Sequence, residues 1–308
     1  MLKILLVGLG SIGRRHLACL NELQDVEVAA LRTSKGTLKD TSEIKEFYSV
    51  QESLDFKPDG VLIANPTSLH VQTALPYLEK GIPVLIEKPV AYSAEDSIVL
   101  NQYSNLIRVA YCLRFHPLNK AISNIVSQEQ VYKMGFKRSF YLPKWHPYAD
   151  YRTEYTAKKE LGGGVIRTLS HEIDLMIHWF GVPQSTTGVI DKVSALEIDT
   201  DDYAFLSCKF EKGFRVNFER DFLSPANVNT GELFTDKGKY HWDLKQLWFT
   251  PYEGTEPQLA EEFTSESVNI MYLDQIKDFI IFINHKTSTN TTLEEAQEVL
   301  KLIEGLDN

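Results

Sequence analysis

The sequence predicts an N-terminal α/β unit with a doubly wound parallel sheet, followed by an α+β unit with a mostly antiparallel open sheet. Three observations carry this. Over the first third, short apolar runs alternate with amphipathic stretches of helical length, the pattern of a parallel sheet with right-handed crossovers. From about Phe115 the texture changes to strand-like segments joined by turns, closed by two helices. A chain of 308 residues is also long enough for two cores. The boundary at Phe115 divides the chain into residues 1–115 and 116–308, with no flexible linker between them.

The elements follow in order. Residues 3–7 (KILLV) read as a buried strand ended by Gly8, and 11–23 as a helix. Strands are predicted at 26–31 and 60–64, then a helix at 69–80 that Gly81 stops. A strand at 83–87 precedes a helix at 93–105, with Ser93 as N-cap and Asp96 three residues on. Residues 108–113 form the last strand of the first unit. The second unit opens with a helix at 119–128 and a long strand-like stretch at 131–142. A glycine run then leads into one helix at 165–180. Most of 186–250 reads as antiparallel strands, including 204–210 and 214–222 around the turn Glu211-Lys212-Gly213. Helices at 271–284 and 293–306 end the chain.

Composition narrows the function. The net charge of −10 argues against a nucleic-acid footprint, which needs a basic stripe. The longest apolar run, around 279–283, falls far short of the roughly 18 residues that span a bilayer. The first seven residues run straight into glycines, unlike a secretory leader. Cys19, Cys112 and Cys208 are odd in number and far apart, which excludes a disulfide framework and points to a reducing cytoplasm. His16 and His146 lack metal-ligand spacing to other donors, and no metal site is expected.

Gly8-Leu9-Gly10-Ser11-Ile12-Gly13 is G-x-G-x-x-G between a predicted strand and a predicted helix, the context a dinucleotide-binding turn requires. Gly8 permits the tight turn, Gly10 lets backbone approach a pyrophosphate, and Gly13 lets helix pack on strand. Ser11 and Ile12 open the helix, whose free N–H groups and partial positive charge suit phosphate. A glycine-rich turn without a ligand is the alternative. At the end of the second strand an NAD site ordinarily carries a carboxylate. Here the residues are Arg32, Thr33, Ser34 and Lys35, which suit the 2′-phosphate of NADP. NADP is therefore the expected cofactor, with NAD as the alternative; a solvated basic loop is the plain reading.

The strand at 83–87 delivers Glu87-Lys88-Pro89 to the sheet edge where open α/β sheets bind ligands. Pro89 restricts Lys88 to extended backbone. A lysine held there suits proton donation to a carbonyl or alcohol oxygen, although a lone lysine at a strand end is ordinarily solvated. Asn65, Pro66 and His70 lie in the matching loop of the preceding strand.

Five motifs occur in order: GLGSIGRRH (8–16), NPTSLH (65–70), EKP (87–89), LRFHP (113–117) and GGGVIRTLSHEID (162–174). Together they resemble the Gfo/Idh/MocA family of nicotinamide-dependent oxidoreductases, named for glucose–fructose oxidoreductase and inositol dehydrogenase, over essentially the whole chain. The resemblance implies an N-terminal Rossmann domain and a second domain whose open sheet makes homodimer or homotetramer contacts. It implies hydride transfer at a ring carbon of a sugar, cyclitol or nucleotide sugar, in a site between the two halves. Lys88 would be the acid/base group, His171 a proton-carrying histidine and Asp174 a substrate contact, with Glu87 beside the cofactor. Many relatives carry an Asp three or four residues before this histidine; here Arg167 and Thr168 stand there, and Arg167 would instead meet an anionic substrate group, or solvent, or Glu160. On one continuous helix, Arg167, Thr168, His171, Asp174 and His178 would share a face. Arg114, Trp145 and Arg152 are further substrate-binding candidates, the last two in an aromatic-rich stretch equally suited to packing over the sheet. Two other readings remain: an NAD-dependent glycosidase on the same scaffold, and a non-catalytic dinucleotide-sensing regulator.

Overall fold

The structure is a computed structural model that describes residues 1–33, 44–147, 149–264 and 266–306. Its elements run β1 (Leu2–Val7), α1 (Ser11–Asn21), β2 (Val26–Leu31), β3 (Lys45–Phe47), α2 (Val50–Asp55), β4 (Gly60–Ile63), α3 (His70–Leu78), β5 (Val84–Glu87), α4 (Ala94–Ser97) and β6 (Ile107–Ala110). Next come α5 (Pro117–Gln128), β7 (Val131–Ser139), α6 (Leu142–Trp145), α7 (Val165–Thr168), α8 (His171–Phe180), β8 (Ser185–Asp191), β9 (Tyr203–Lys209) and β10 (Arg215–Asp221). The chain closes with β11 (Val228–Thr235), β12 (Gly238–Trp242), β13 (Gln246–Pro251), β14 (Gln258–Glu262), α9 (Ser267–His285) and α10 (Leu293–Glu304).

The chain divides into two compact units, one of Met1–Phe115 with Asn269–Gln297, the other of His116–Val268 with Glu298–Asn308. In the first, six parallel strands run in the order β3-β2-β1-β4-β5-β6. The order reverses between β1 and β4, so a crevice opens where their C-terminal ends diverge, the usual ligand position in such sheets. Ile4, Leu6, Ala30, Leu62 and Leu85 of the strands bury against Leu17 and Leu20 of α1. The same core takes Ile276, Phe279 and Phe282 of α9. By sequence, 269–308 belongs with the second unit. The apolar stripe of α9 instead completes the first core, and a side chain at Gly60 would overlap Ile283.

In the second unit eight strands run β14-β13-β12-β11-β7-β10-β9-β8, antiparallel except for β7 with β10. Alternate residues of β9, β10 and β11 are buried, so one face is core and the other open. Ile173, Met176 and Ile177 of α8 are buried, as are Phe136, Leu206 and Phe218 of the core face. Among the described residues, no helix is long and apolar enough to cross a membrane.

Two predicted helices differ from the structure. Residues 93–105 form only the short α4 and a 3-10 stretch, Ile98–Leu106, kinked at Tyr103. The predicted helix at 165–180 is two helices, broken at Leu169 (φ −105°, ψ 43°). Neither glycine nor proline stands at that break. Its cause is Arg220, buried on β10, whose Nε donates to the Leu169 carbonyl at 3.1 Å and withdraws it from a continuing helix.

Candidate functional site

The turn after β1 is built as its glycines demand. Gly8 has φ +90° and lies so close to β4 that an added methyl would stand 3.0 Å from the Ala64 carbonyl and the Asn65 nitrogen. A methyl on Gly13 would overlap the Gly8 carbonyl oxygen. Gly10 faces open space, and α1 has neither a side-chain cap nor an acidic residue in its first turn. An open cradle at a helix N-terminus with its amides uncapped fits a pyrophosphate. Ser11 is exposed and Ile12 half-buried at the start of that helix. At the neighbouring strand end, Asn65 donates to Thr73 Oγ1 at 2.9 Å, while its Oδ1 is buried without a partner among the described residues. A ligand donor suits that acceptor. The residues present therefore fit a dinucleotide.

At the end of β2, Arg32 donates to Glu46 Oε1 at 2.6 Å. The carboxylate absent from the end of β2 thus arrives from β3, and Glu46 also accepts from the Tyr48 hydroxyl at 2.7 Å. Thr33 is exposed; Ser34 and Lys35 lie outside the described residues.

Lys88 leaves β5 half-buried, and its bond to Pro89 is cis. Two expected cofactor contacts, His70 and Glu87, are buried and hydrogen-bonded within the first unit. His70 is 1% exposed, with Nδ1 2.9 Å from the Pro89 carbonyl and Nε2 2.9 Å from the Asn65 carbonyl. It ties the two strand-end loops together, and burial pushes its pKa down. Glu87 is buried too; one carboxylate oxygen meets Nε2 of His16 at 2.6 Å and the other accepts the Lys88 N–H at 3.1 Å. His16, the partner of Glu87, is not among the residues that the sequence singles out for this site. Its only sequence signal is a position one turn beyond Gly13 on the helix's buried side.

Arg114 forms an ion pair within the first unit. Its side chain is 5% exposed, and Nη1 donates to both oxygens of Glu295 at 3.1 Å. Burial pushes the Glu295 pKa up, but Arg114 and the Thr292 contacts outweigh it and hold the carboxyl below its usual range. The same Glu295 caps α10 by accepting from the Thr292 N–H at 2.9 Å.

In the second unit, His171 is the first residue of α8 and is half-buried; Asp174, one turn on, is 1% exposed. The break at Leu169 puts Arg167 and Thr168 on a different helix, so the single polar face expected from 167 to 178 does not form. Arg167 Nη2 lies 3.6 Å from Glu304. The glycines at 162–164 admit chain: a methyl at Gly163 would overlap the Tyr155 and Thr156 carbonyls, and one at Gly164 would overlap Asp201. Asp201, also missed by sequence, accepts the Ile166 N–H at 3.0 Å and caps α7; burial raises its pKa. Trp145 packs on Phe140 (ring centroids 4.3 Å apart) and stacks on His146. Arg152 is held on the surface by Asp150 (2.9 Å) and Glu197 (2.8 Å). Tyr148 lies outside the described residues. Both stretches thus show packing and local ion pairing.

Comparison with known proteins agrees with this geometry. Residues 2–104 match the model of the oxidoreductase family with an NAD-binding Rossmann fold, and residues 134–241 match the Gfo/Idh/MocA C-terminal domain. The rhizopine catabolism protein MocA of Rhizobium meliloti is 28% identical over 180 residues, 56% of this chain and 55% of that protein. Glucose-6-phosphate 3-dehydrogenase of Bacillus subtilis is 25% identical over 245 residues, 70% of this chain and 67% of that one. An Agrobacterium radiobacter oxidoreductase, solved with NAD+, L-tartaric acid and magnesium, superposes with a TM-score of 0.83 at 15% identity, covering 99% of this chain and 95% of that one. Matched by family models over both its sheets, the chain belongs to the Gfo/Idh/MocA family of NAD-binding oxidoreductases.

Proposed function

We propose that the protein moves a hydride between a nicotinamide dinucleotide and a secondary alcohol or ketone on a sugar, cyclitol or nucleotide sugar. The observation that carries this is the strand-end assembly of the first unit: an open glycine cradle at a helix N-terminus, with a half-buried lysine two strands away. When bound, the dinucleotide supplies the hydride chemistry at nicotinamide C4. The amides of Gly10, Ser11 and Ile12 hold its pyrophosphate. Lys88 holds or moves the proton at the reacting oxygen. His171 is a second proton-carrying group, and Asp174 accepts from a substrate hydroxyl. The substrate class follows from family membership and from the ring substrate in the name of one relative. A panel of free sugars, cyclitols and nucleotide sugars, followed at the absorbance of the reduced nicotinamide, should show turnover with at least one. Release of free sugar with no net change in the dinucleotide would support the glycosidase reading instead. Dinucleotide binding with no turnover of any panel member would support the regulator.

The preference for NADP stands on Arg32, with Thr33 beside it. Glu46 competes with a phosphate for the same guanidinium, so Glu46→Gln should lower the Michaelis constant for NADP several-fold and leave that for NAD nearly unchanged. A wild-type protein with a clear NAD preference that Glu46→Gln does not weaken would reverse the assignment.

We also propose a homodimer or homotetramer formed through the open face of the second sheet. That face holds a groove of about 420 Å³ lined by Phe205, Asn217, His241 and Trp248 and flanked by ion pairs such as Lys137–Glu219. A Phe205→Glu variant should lower the mass measured by light scattering; an unchanged mass would move the interface elsewhere. The three buried free thiols fit a reducing compartment, and we place the protein in the cytoplasm on that ground.

A further inference from the structure

The buried side of α1 is apolar apart from one residue. Leu17, Cys19 and Leu20 pack toward the sheet, and among them His16 is 0% exposed. A buried polar ring needs a partner, and Glu87, 71 residues away on β5, supplies it at 2.6 Å. Nδ1 of His16 is buried with no hydrogen-bond partner among the described residues. The tautomer that leaves no buried proton without an acceptor carries its hydrogen on Nε2 and donates it to Glu87. The second carboxylate oxygen accepts the Lys88 N–H. One carboxylate therefore joins the helix of the glycine turn to the backbone of the lysine.

The other groups facing Glu87 stay protonated or neutral. Burial and the field of Glu87 push the Cys112 thiol up to about 12. Tyr272 of α9, hydrogen-bonded to Cys112, is raised well above its usual range by that thiol, by burial and by Glu87. His70 senses Glu87 but is pushed toward the neutral form by burial. Arg15 lies 4.9 Å above the Tyr272 ring, and its charge opposes the rise there. The Lys88 charge opposes the rise at Cys112.

We propose that His16 and Glu87 are positioning residues for Lys88: the buried carboxylate, held by α1 through His16, fixes the lysine and sets the proton affinity of its ammonium. The residue that handles the proton is thereby tied to the helix whose first turn meets the cofactor phosphates. This rests on the proposed role of Lys88.

The test uses the intact protein with its lysines reductively 13C-methylated, the Lys88 resonance being assigned by its loss in Lys88→Arg. Glu87→Gln should lower the Lys88 titration midpoint by about one pH unit, because an anion held at the lysine's own backbone N–H favours the charged form of its side chain. His16→Leu should also move the midpoint, because it releases the Glu87 carboxylate from α1, and it substitutes for Glu87→Gln if that variant does not fold. In kinetics, His16→Leu should lower kcat about tenfold, with the Michaelis constant for the dinucleotide little changed, and His16→Gln, which keeps an N–H donor, should recover most of it. An unmoved Lys88 midpoint in the carboxylate variant, or in His16→Leu where that variant does not fold, would overturn the coupling whatever the activity. Full turnover in Lys88→Met would overturn the role of Lys88, while the titration would still report on the pair.

Discussion

Replacing Lys88 by methionine should lower turnover by about 100- to 10,000-fold, the range general acid–base groups contribute. The dinucleotide dissociation constant, read from quenching of protein fluorescence, should change little. The asymmetry follows from geometry. The phosphate cradle is made of backbone at Gly8–Gly13, braced by packing of α1 on the sheet, and none of it depends on the Lys88 side chain. Methionine keeps the apolar stem that lies half-buried at the end of β5 and lacks only the ionisable group. Loss of dinucleotide binding together with turnover would show that Lys88 serves the cofactor rather than the proton. Unchanged turnover would remove it from the mechanism.

Arg220→Met should cost about 3–5 kcal/mol of stability, the usual consequence of removing one partner of a buried ion pair. Arg220 is fully buried and meets Glu172 Oε2 at 3.1 Å, with further donations to the Leu169, Phe136 and Glu219 carbonyls. Losing it strands the buried Glu172 carboxylate and two buried carbonyls. Substituting Glu172→Leu in the same protein should return much of the loss, because an apolar pair no longer needs a counter-charge. Urea unfolding followed by circular dichroism of the second unit measures both. A single-variant loss below about 1 kcal/mol would mean that Arg220 is as expendable as a surface ion pair. Because Leu169 and Glu172 flank Ser170-His171, the substitution should also disturb His171 more than any exposed change on α8.

Much of the first unit was legible in the chain. The strand at the N-terminus, the glycine turn, the helix behind it and the lysine after β5 all follow from short-range patterns: runs of buried strand residues, helical spacing and a proline after Lys88. These signals are local, so the chain displays them directly. The short β3 and α2 at residues 45–55 were not foreseen, nor was β14. They are brief, and their apolar positions are too few to make a period.

The second unit was less legible for a physical reason. Residues 165–180 keep helical spacing throughout, with no glycine or proline at 169–170, so the local signal is for one helix. The break comes from Arg220, more than forty residues downstream, competing for a main-chain carbonyl. Asp201 caps α7 from a similar distance. Neither interaction leaves a mark in the helix's own residues.

By itself the sequence determined the two-sheet architecture, the dinucleotide-type turn and the lysine at the strand end, because periodicity and backbone-restricting residues act over a few positions. Only the tertiary structure decided which charges are spent internally and which remain for a ligand. His16 went to Glu87 and Arg114 to Glu295, while α9 crossed from one half of the chain to the core of the other. A side chain's partner is set by which strands and helices fold against each other, and buried charge must find an opposite or a hydrogen bond wherever the fold supplies one.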